Sequence, residues 1–330
     1  MNAPARLAVL VLALASVPAL AGPAVLLSPA LGRPGGVALQ GRVLAETPHG
    51  STALTRNLRS LAARNWKGAK VEVSFQGTAA TVTSGEDGNF QVTLQPAPGR
   101  SFPPGRHSAQ ASVKGAAATA SVEILADPTP FLVISDFDDT LAISEVTQPE
   151  KLVTNALLRD EETQKVVPGM SGFYGCLGTE AKAPPGFALV SGSPVQFLPR
   201  VGAFLERHRF PEGFGLYLRV LGPHSLSGYK QPIIRGLLER FPHPVVLVGD
   251  SGEKDPEIYA QIREEFPGRV RAIYIRDAGN TANAARFQDM VLFKEASTAA
   301  LHAVEAGLAP RACVTAAFPQ AAPRAEEGTP

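Results

Sequence analysis

A short apolar run that ends abruptly in acid, Phe131-Leu-Val-Ile-Ser-Asp-Phe-Asp-Asp-Thr140, is the feature that most narrows the possible folds. Phe131 to Ile134 read as a strand buried on both faces, as in a parallel sheet covered by helices. Open α/β sheets bind ligands beyond the C-terminal ends of their strands, which is where Asp136 falls. Asp136 can serve as a carboxylate nucleophile and Asp138 as a second carboxyl able to protonate a leaving group. Both can also face one metal ion. An Asp-Asp-Thr turn alone is an ordinary surface feature. Directly after a buried strand it points to function.

Three further segments have related character. Phe187-Ala-Leu-Val-Ser-Gly-Ser-Pro194 is an apolar run ending in small hydroxyl residues, with Pro194 suited to a helix start; amides exposed there bind phosphate well. Lys230 lies just before Pro232 to Arg240, which has the pattern of an amphipathic helix. Val245-Val-Leu-Val-Gly-Asp250 is another buried strand leading to Asp250 and Asp255. Alone, a lysine is usually solvated and a serine after a strand is usually a cap or turn. The ordered set of an Asp pair, a Ser, a Lys and a second acid pair is a much stronger signal.

That order resembles the haloacid dehalogenase superfamily of phosphotransferases. Within it, the chain is most similar to the magnesium-dependent phosphatidate phosphatase catalytic domain of the actin-patch-associated type and its bacterial relatives. The resemblance rests on Asp136 to Thr140, Val190 to Pro194, Leu247 to Tyr259 and Phe266 to Asp277, and it spans Pro130 to Asp277. Tyr229 stands where the family is expected to carry a His before the motif lysine. The resemblance implies Mg2+ held by Asp136, the backbone carbonyl of Asp138 and Asp250. It also implies attack on phosphorus by Asp136, acid–base work by Asp138, and charge compensation by Ser191 and Lys230. Thr140 then fixes the turn, and Asp255 orients Lys230 or a metal-bound water. The implied activity is hydrolysis of a phosphate monoester, with phosphatidate as the family's substrate. An acid at position 138 favours hydrolysis over a long-lived phospho-aspartate. A catalytically idle exported binding protein that kept the fold is the competing reading; the intact set of acids argues against it.

Met1 to Arg6 carries one basic side chain, Leu7 to Leu20 is almost wholly apolar, and Ala19-Leu-Ala21 stands directly before Gly22. This is a signal-peptide pattern, and its apolar stretch is shorter than the roughly 20 residues a transmembrane helix needs. The expectation is cleavage near Ala21, no transmembrane span in the mature chain, and a periplasmic or secreted protein. The formal charge of +1 falls to zero once Arg6 is removed, and no basic stripe is present, so nucleic acid is a poor partner. The two cysteines, Cys176 and Cys313, could pair in an oxidising compartment. Their settings, one core-like and one in a Pro- and Ala-rich tail, favour free thiols.

The expected fold class is α/β, a doubly wound parallel sheet preceded by a small β-sandwich. Residues 36–127 form the immunoglobulin-like sandwich, with alternating strands at Val71 to Phe75 and Phe90 to Leu94 around the turn Gly85 to Gly88. Leu54 to Ala63 is a candidate short helix. Residues 130–309 form the catalytic domain, with strands at Phe131–Ser135, Phe187–Ser191, Leu216–Val220, Val245–Gly249 and Val270–Ile275 and an edge strand at Met290–Phe293. The interval from Leu141 to Pro185 leaves room for only a light cover over the site, which suits a membrane-held phosphate. Phe173, Tyr174, Tyr229 and Arg276 are candidates for its apolar or basic rim. Residues 310–330 read as a disordered tail.

Overall fold

The computed structural model describes residues 22–48, 59–143, 164–220 and 228–320. The expected leader, half of the expected helix at Leu54 to Ala63, much of the expected cover and the last ten residues lie outside them.

The first half pairs eight strands in one hydrogen-bonded sheet. They are β1 (Ala24–Leu27), β2 (Ala30–Arg33), β3 (Gly36–Leu44), β4 (Lys70–Phe75), β5 (Thr78–Thr83), β6 (Asn89–Leu94), β7 (Gly105–Val113) and β8 (Ala116–Ile124). The order is β1-β3-β2-β8-β7-β4-β5, with β6 also paired to β3. Every pairing is antiparallel except β2 with β8. Alternation drives the packing: Val71, Val73 and Phe75 of β4 point inward and meet Val37, Leu39, Phe90, Leu94 and Val122 in one core. β1 and β2 precede the expected start at Gly36, because their apolar runs are too short to announce strands on their own.

The second half is a six-stranded sheet with every pair parallel. Its strands are β9 (Leu132–Ser135), β10 (Gly186–Pro194), β11 (Phe214–Arg219), β12 (Val245–Asp250), β13 (Val270–Arg276) and β14 (Val291–Phe293), in the order β11-β10-β9-β12-β13-β14. Successive residues of β9 point to opposite faces and both faces are covered, so Leu132 to Ser135 are all buried. Helices α1 (Met170–Cys176), α2 (Leu198–Arg207), α5 (Ala296–Glu305) and α6 (Arg311–Ala317) contribute to the core that takes Val133, Leu189 and Val246. Helices α3 (Lys230–Arg240) and α4 (Asp255–Glu265) contribute to the opposite core, with Ile134, Val190 and Leu247. The chain runs from β9 out to β11 and then crosses to β12 on the other side of β9. The strand order therefore reverses beside β9, the kind of point where open sheets leave a crevice for ligands.

The two halves are joined by more than the linker. Leu216 N–H of the edge strand β11 donates to the Pro29 carbonyl at 2.9 Å, and Arg33 Nη1 donates to the Arg240 carbonyl at 2.7 Å. Gly215 permits this approach, since a Cβ there would sit 3.1 Å from the backbone nitrogen of Leu31.

Two expectations need correction. Cys176 and Cys313 are bonded to each other, with Cα atoms 5.6 Å apart, and are not free thiols. The segment after Pro310 is not disordered throughout: Arg311–Ala317 is helix α6, Val314 is buried, and the Phe318 ring packs against Gly169 at the start of α1. Low-complexity Ala-rich sequence hid a helix held by tertiary contact rather than by strong periodicity. The disulfide closes a span of 137 residues, worth up to about 5 kcal/mol in a chain-entropy account. A Cys176→Ser/Cys313→Ser variant should therefore melt at a clearly lower temperature than wild type under non-reducing conditions, with the gap closing when reductant is added. Equal midpoints would mean that packing alone holds α6.

Candidate active site

Asp136 follows the central strand directly, and its N–H donates to the Val248 carbonyl of β12 at 2.9 Å, extending the ladder by one bond. The chain then turns tightly. Leu141 and Ala142 N–H groups both donate to the Phe137 carbonyl, and Asp139 takes a left-handed φ of 54°. Thr140, fully buried, places Oγ1 3.3 Å from Asp136 Oδ2. Arg276 Nη1, from the end of β13, donates to the Asp139 carbonyl at 2.5 Å and ties the turn to the sheet.

Lys230, the first residue of α3, is buried and reaches three carboxylates. Its Nζ is 2.8 Å from Asp136 Oδ1, 2.6 Å from Asp255 Oδ1 and 3.3 Å from Glu253 Oε2. Asp255 opens α4 and also receives the Asp250 N–H on Oδ2 at 3.4 Å. Its carboxylate thus joins Lys230 on one oxygen to the end of β12 on the other, and so holds Lys230 in place. Asp250 ends β12; its Oδ1 accepts from the Gly252 and Glu253 amides at 2.7 and 3.2 Å. Gly249 makes this packing possible: a Cβ there would lie 2.4 Å from Asp255 Oδ2 and 2.8 Å from the Tyr259 ring.

The electrostatics are those of too much negative charge in a dry place. Burial pushes the Asp136 carboxyl well above the ordinary range; Lys230 pulls it back, and Asp255, Glu253 and Asp250 push it further up. Burial, followed by the charge of Asp255, raises Asp250 to about 7. Burial also raises Asp255, against the pull of Lys230. For Lys230 burial acts downward, but the surrounding carboxylates outweigh it and its pKa ends well above the ordinary value. One ammonium cannot balance Asp136, Asp250, Asp255 and Glu253.

The donor set fits a hard cation. Carboxylate oxygens of Asp136, Asp250 and Asp255 lie within 4.8 Å of one another. Asp250 Oδ2 is buried and has no hydrogen-bond partner among the described residues, a costly arrangement unless something binds it. Asp250 Oδ2 is therefore the open ligand atom of the three: Asp136 and Asp255 both hold Lys230, and their other oxygens have only the long contacts to Thr140 Oγ1 at 3.3 Å and to the Asp250 amide at 3.4 Å. An all-oxygen set suits magnesium or calcium rather than a softer ion.

On the other side of Asp136, Asp138 is only partly buried. Ser193 Oγ donates to its Oδ2 at 2.7 Å, and Ser191 Oγ is 3.5 Å from the same atom. Burial raises the Asp138 carboxyl, and the Ser193 bond partly offsets this. The fold thus gathers Asp136, Asp138, Thr140, Ser191, Lys230, Asp250 and Asp255 at one edge of the sheet. Sequence reasoning missed Ser193 and Glu253. Ser193 was detectable, since i and i+2 of a strand share a face. Glu253 was not, because its approach depends on the loop between β12 and α4. The rim expectation needs correction: Phe173 and Tyr174 are fully buried core residues of α1. Tyr174 instead donates to Ser135 Oγ, which donates to the Asp136 carbonyl. Tyr229 is half-buried just before α3.

Comparison with known proteins gives one family. Residues 131–277 match the family described as phosphatidate phosphatase APP1, catalytic domain. A Saccharomyces cerevisiae protein named phosphatidate phosphatase APP1 is 32% identical over 158 residues, 45% of this chain and 26% of that protein. An uncharacterized Schizosaccharomyces pombe protein is 30% identical over 154 residues, 44% of this chain and 25% of that one. The chain thus spans about a quarter of the length of the curated relatives it matches. A solved Xanthomonas citri carbohydrate acetylesterase aligns over 82% of this chain and 67% of its own at 16% identity and a TM-score of 0.32, too distant a likeness to assign a fold.

The tight packing at Gly249 has a direct consequence. Gly249→Ala should cost about 1–3 kcal/mol, as overpacking in a rigid interior does, because both Asp255 and Tyr259 must move. Chemical denaturation measures this, and an unchanged midpoint would show that the Asp255 loop yields freely.

Proposed function

Taking the kinship of residues 131–277 with that catalytic domain as premise, we propose that this protein is a magnesium-dependent phosphatase that hydrolyses a phosphate monoester through an aspartyl-phosphate. The observation that carries the reading is Asp136 itself: a buried carboxylate at the strand-order reversal, held by Lys230 and close to an oxygen of Asp250 that has no hydrogen-bond partner among the described residues. Asp136, the Asp138 backbone carbonyl and Asp250 are the groups that hold Mg2+. Bound there, the ion offsets phosphate charge that would otherwise repel an anionic nucleophile.

The chain's own residues do the rest. The Asp136 carboxylate attacks phosphorus; the bond to the leaving oxygen breaks, and its electron pair takes the proton from the Asp138 carboxyl. The Asp138 carboxylate then accepts a proton from water as the water oxygen bonds to phosphorus, and the Asp136–phosphorus bond breaks to restore the carboxylate. Lys230 and the Ser191 hydroxyl stabilise charge on the transferring oxygens. Asp255 and Glu253 keep Lys230 ionised and in place, and Thr140 steadies the turn.

We read the two-faced parallel sheet as a doubly wound, haloacid dehalogenase-like core and the eight-stranded half as a sandwich-like accessory domain. The Cys176–Cys313 bond supports export, since such bonds persist in oxidising compartments, and is consistent with cleavage near Ala21 and a periplasmic or secreted protein. No helix among the described residues is long and apolar enough to cross a membrane. Phosphatidate is the substrate that the family match supports.

Asp136→Asn should lower turnover at least about a thousandfold with the melting temperature nearly unchanged, because the amide keeps the size but loses nucleophile and charge. Activity should vanish with a chelator and return with Mg2+. Near wild-type turnover by the variant, or indifference to chelation, would refute the mechanism.

The substrate is tested separately. kcat/KM for phosphatidate in mixed micelles should exceed that for soluble sugar, nucleotide and aryl phosphates at fixed Mg2+. A preference for a soluble ester would remove the lipid and leave the phosphatase.

A further inference from the structure

The motif serine Ser191 and its neighbour Ser193 share one face of β10, two residues apart, and both hydroxyls turn toward Asp138 Oδ2. Their distances are not equivalent. At 2.7 Å, Ser193 Oγ makes a full hydrogen bond; at 3.5 Å, Ser191 Oγ is beyond the range of a strong hydroxyl bond. Among the described residues these two are the side chains that donate to the Asp138 carboxyl. Ser193 also fixes its neighbour, since its backbone N–H donates to Ser191 Oγ at 3.0 Å. The regular pairing of β10 with β11 breaks between Ser191 and Pro194, and such irregularities commonly re-aim side chains beside active sites.

We propose that Ser193 is a positioning residue for Asp138, gripping its carboxyl through Oδ2 so that Oδ1 carries the proton delivered to the leaving group. This rests on the phosphatase reading given above. Ser191 cannot serve both ends at once: when its hydroxyl turns to the transferring phosphoryl group, Ser193 alone holds the acid. A protonated carboxyl has one oxygen that accepts and one that donates. With Oδ2 committed to the Ser193 hydroxyl, Oδ1–H is the donor. As the phosphorus–oxygen bond breaks, its electron pair takes that proton, and the charge left on Asp138 is shared with the Ser193 bond.

The leaving group provides the test. kcat/KM covers the steps through departure of the alcohol, and an activated aryl oxide departs without a proton whereas an alkoxide does not. In Ser193→Ala, kcat/KM for a simple alkyl phosphate should fall about tenfold, while that for 4-nitrophenyl phosphate changes less than about twofold. Ser193→Thr should restore the alkyl value to within about threefold, because it keeps the hydroxyl. Ser193→Cys, a weak donor of similar size, should repeat the alanine pattern and serves if the alanine protein does not fold. An undiminished alkyl rate, or equal losses on both esters, would overturn the assignment. Asp138→Asn separates the two levels of the argument. If it shows the leaving-group pattern and the Ser193 variants do not, only the role of Ser193 falls. If wild type hydrolyses neither ester, the phosphatase reading falls and this one with it.

Discussion

The buried ammonium of Lys230 is the interaction on which the rest of the site depends. It sits between Asp136 and Asp255 at 2.8 and 2.6 Å with almost no water to share the charge. Taking that ammonium away would leave Asp136 and Asp255 as uncompensated charge in a dry interior, which is far costlier than the pairing itself is favourable. This couples distant parts of the chain. Asp136 comes from the end of β9, Lys230 from the start of α3 and Asp255 from the start of α4, so the ion cluster assembles only when the sheet and the helices on that face are all in register. The cluster is still short of positive charge after Lys230 is counted, which makes the same atoms that hold the fold together a place for a divalent cation.

Much of this was legible in the sequence because burial on both faces writes a plain signal. Val245 to Val248 and Leu132 to Ile134 are unbroken apolar runs, and each ends at the acid it positions. Their edges could be read for the same reason. The seam between the halves could not, since contacts such as Leu216 to Pro29 join residues far apart in the chain. Nor could the pairing of Cys176 with Cys313, because a helix as small and Ala-rich as Arg311–Ala317 takes its place from what it touches. At the site, residue types were visible and distances were not. Ser191 and Ser193 look alike in sequence, and only the break in strand pairing decides which one grips Asp138.

The first half of the protein also changes what the parallel sheet can expose. An edge strand such as β11 offers free backbone groups that other chains can pair with. Here the Pro29 carbonyl takes one of its amides, and Leu31 packs into the core on that face beside Tyr217. The small residue at position 215 belongs to this docking as much as the larger ones do. The arrangement gives the β-rich half a structural role independent of any partner it binds.

The disulfide divides the site topologically. Ser191, Lys230, Asp250 and Asp255 lie inside the covalent ring it closes, whereas Asp136 and Asp138 lie before Cys176 and outside it. A protease that cuts the backbone once within the ring releases nothing, and the two pieces still travel together as one molecule. A cut between Asp138 and Cys176 is different: it frees the acidic strand from any covalent tie to the remaining site residues. That strand is nonetheless hydrogen-bonded on both sides, by β10 and β12. The severed piece would therefore stay in place as a non-covalent complement, and the two fragments would separate only on denaturation.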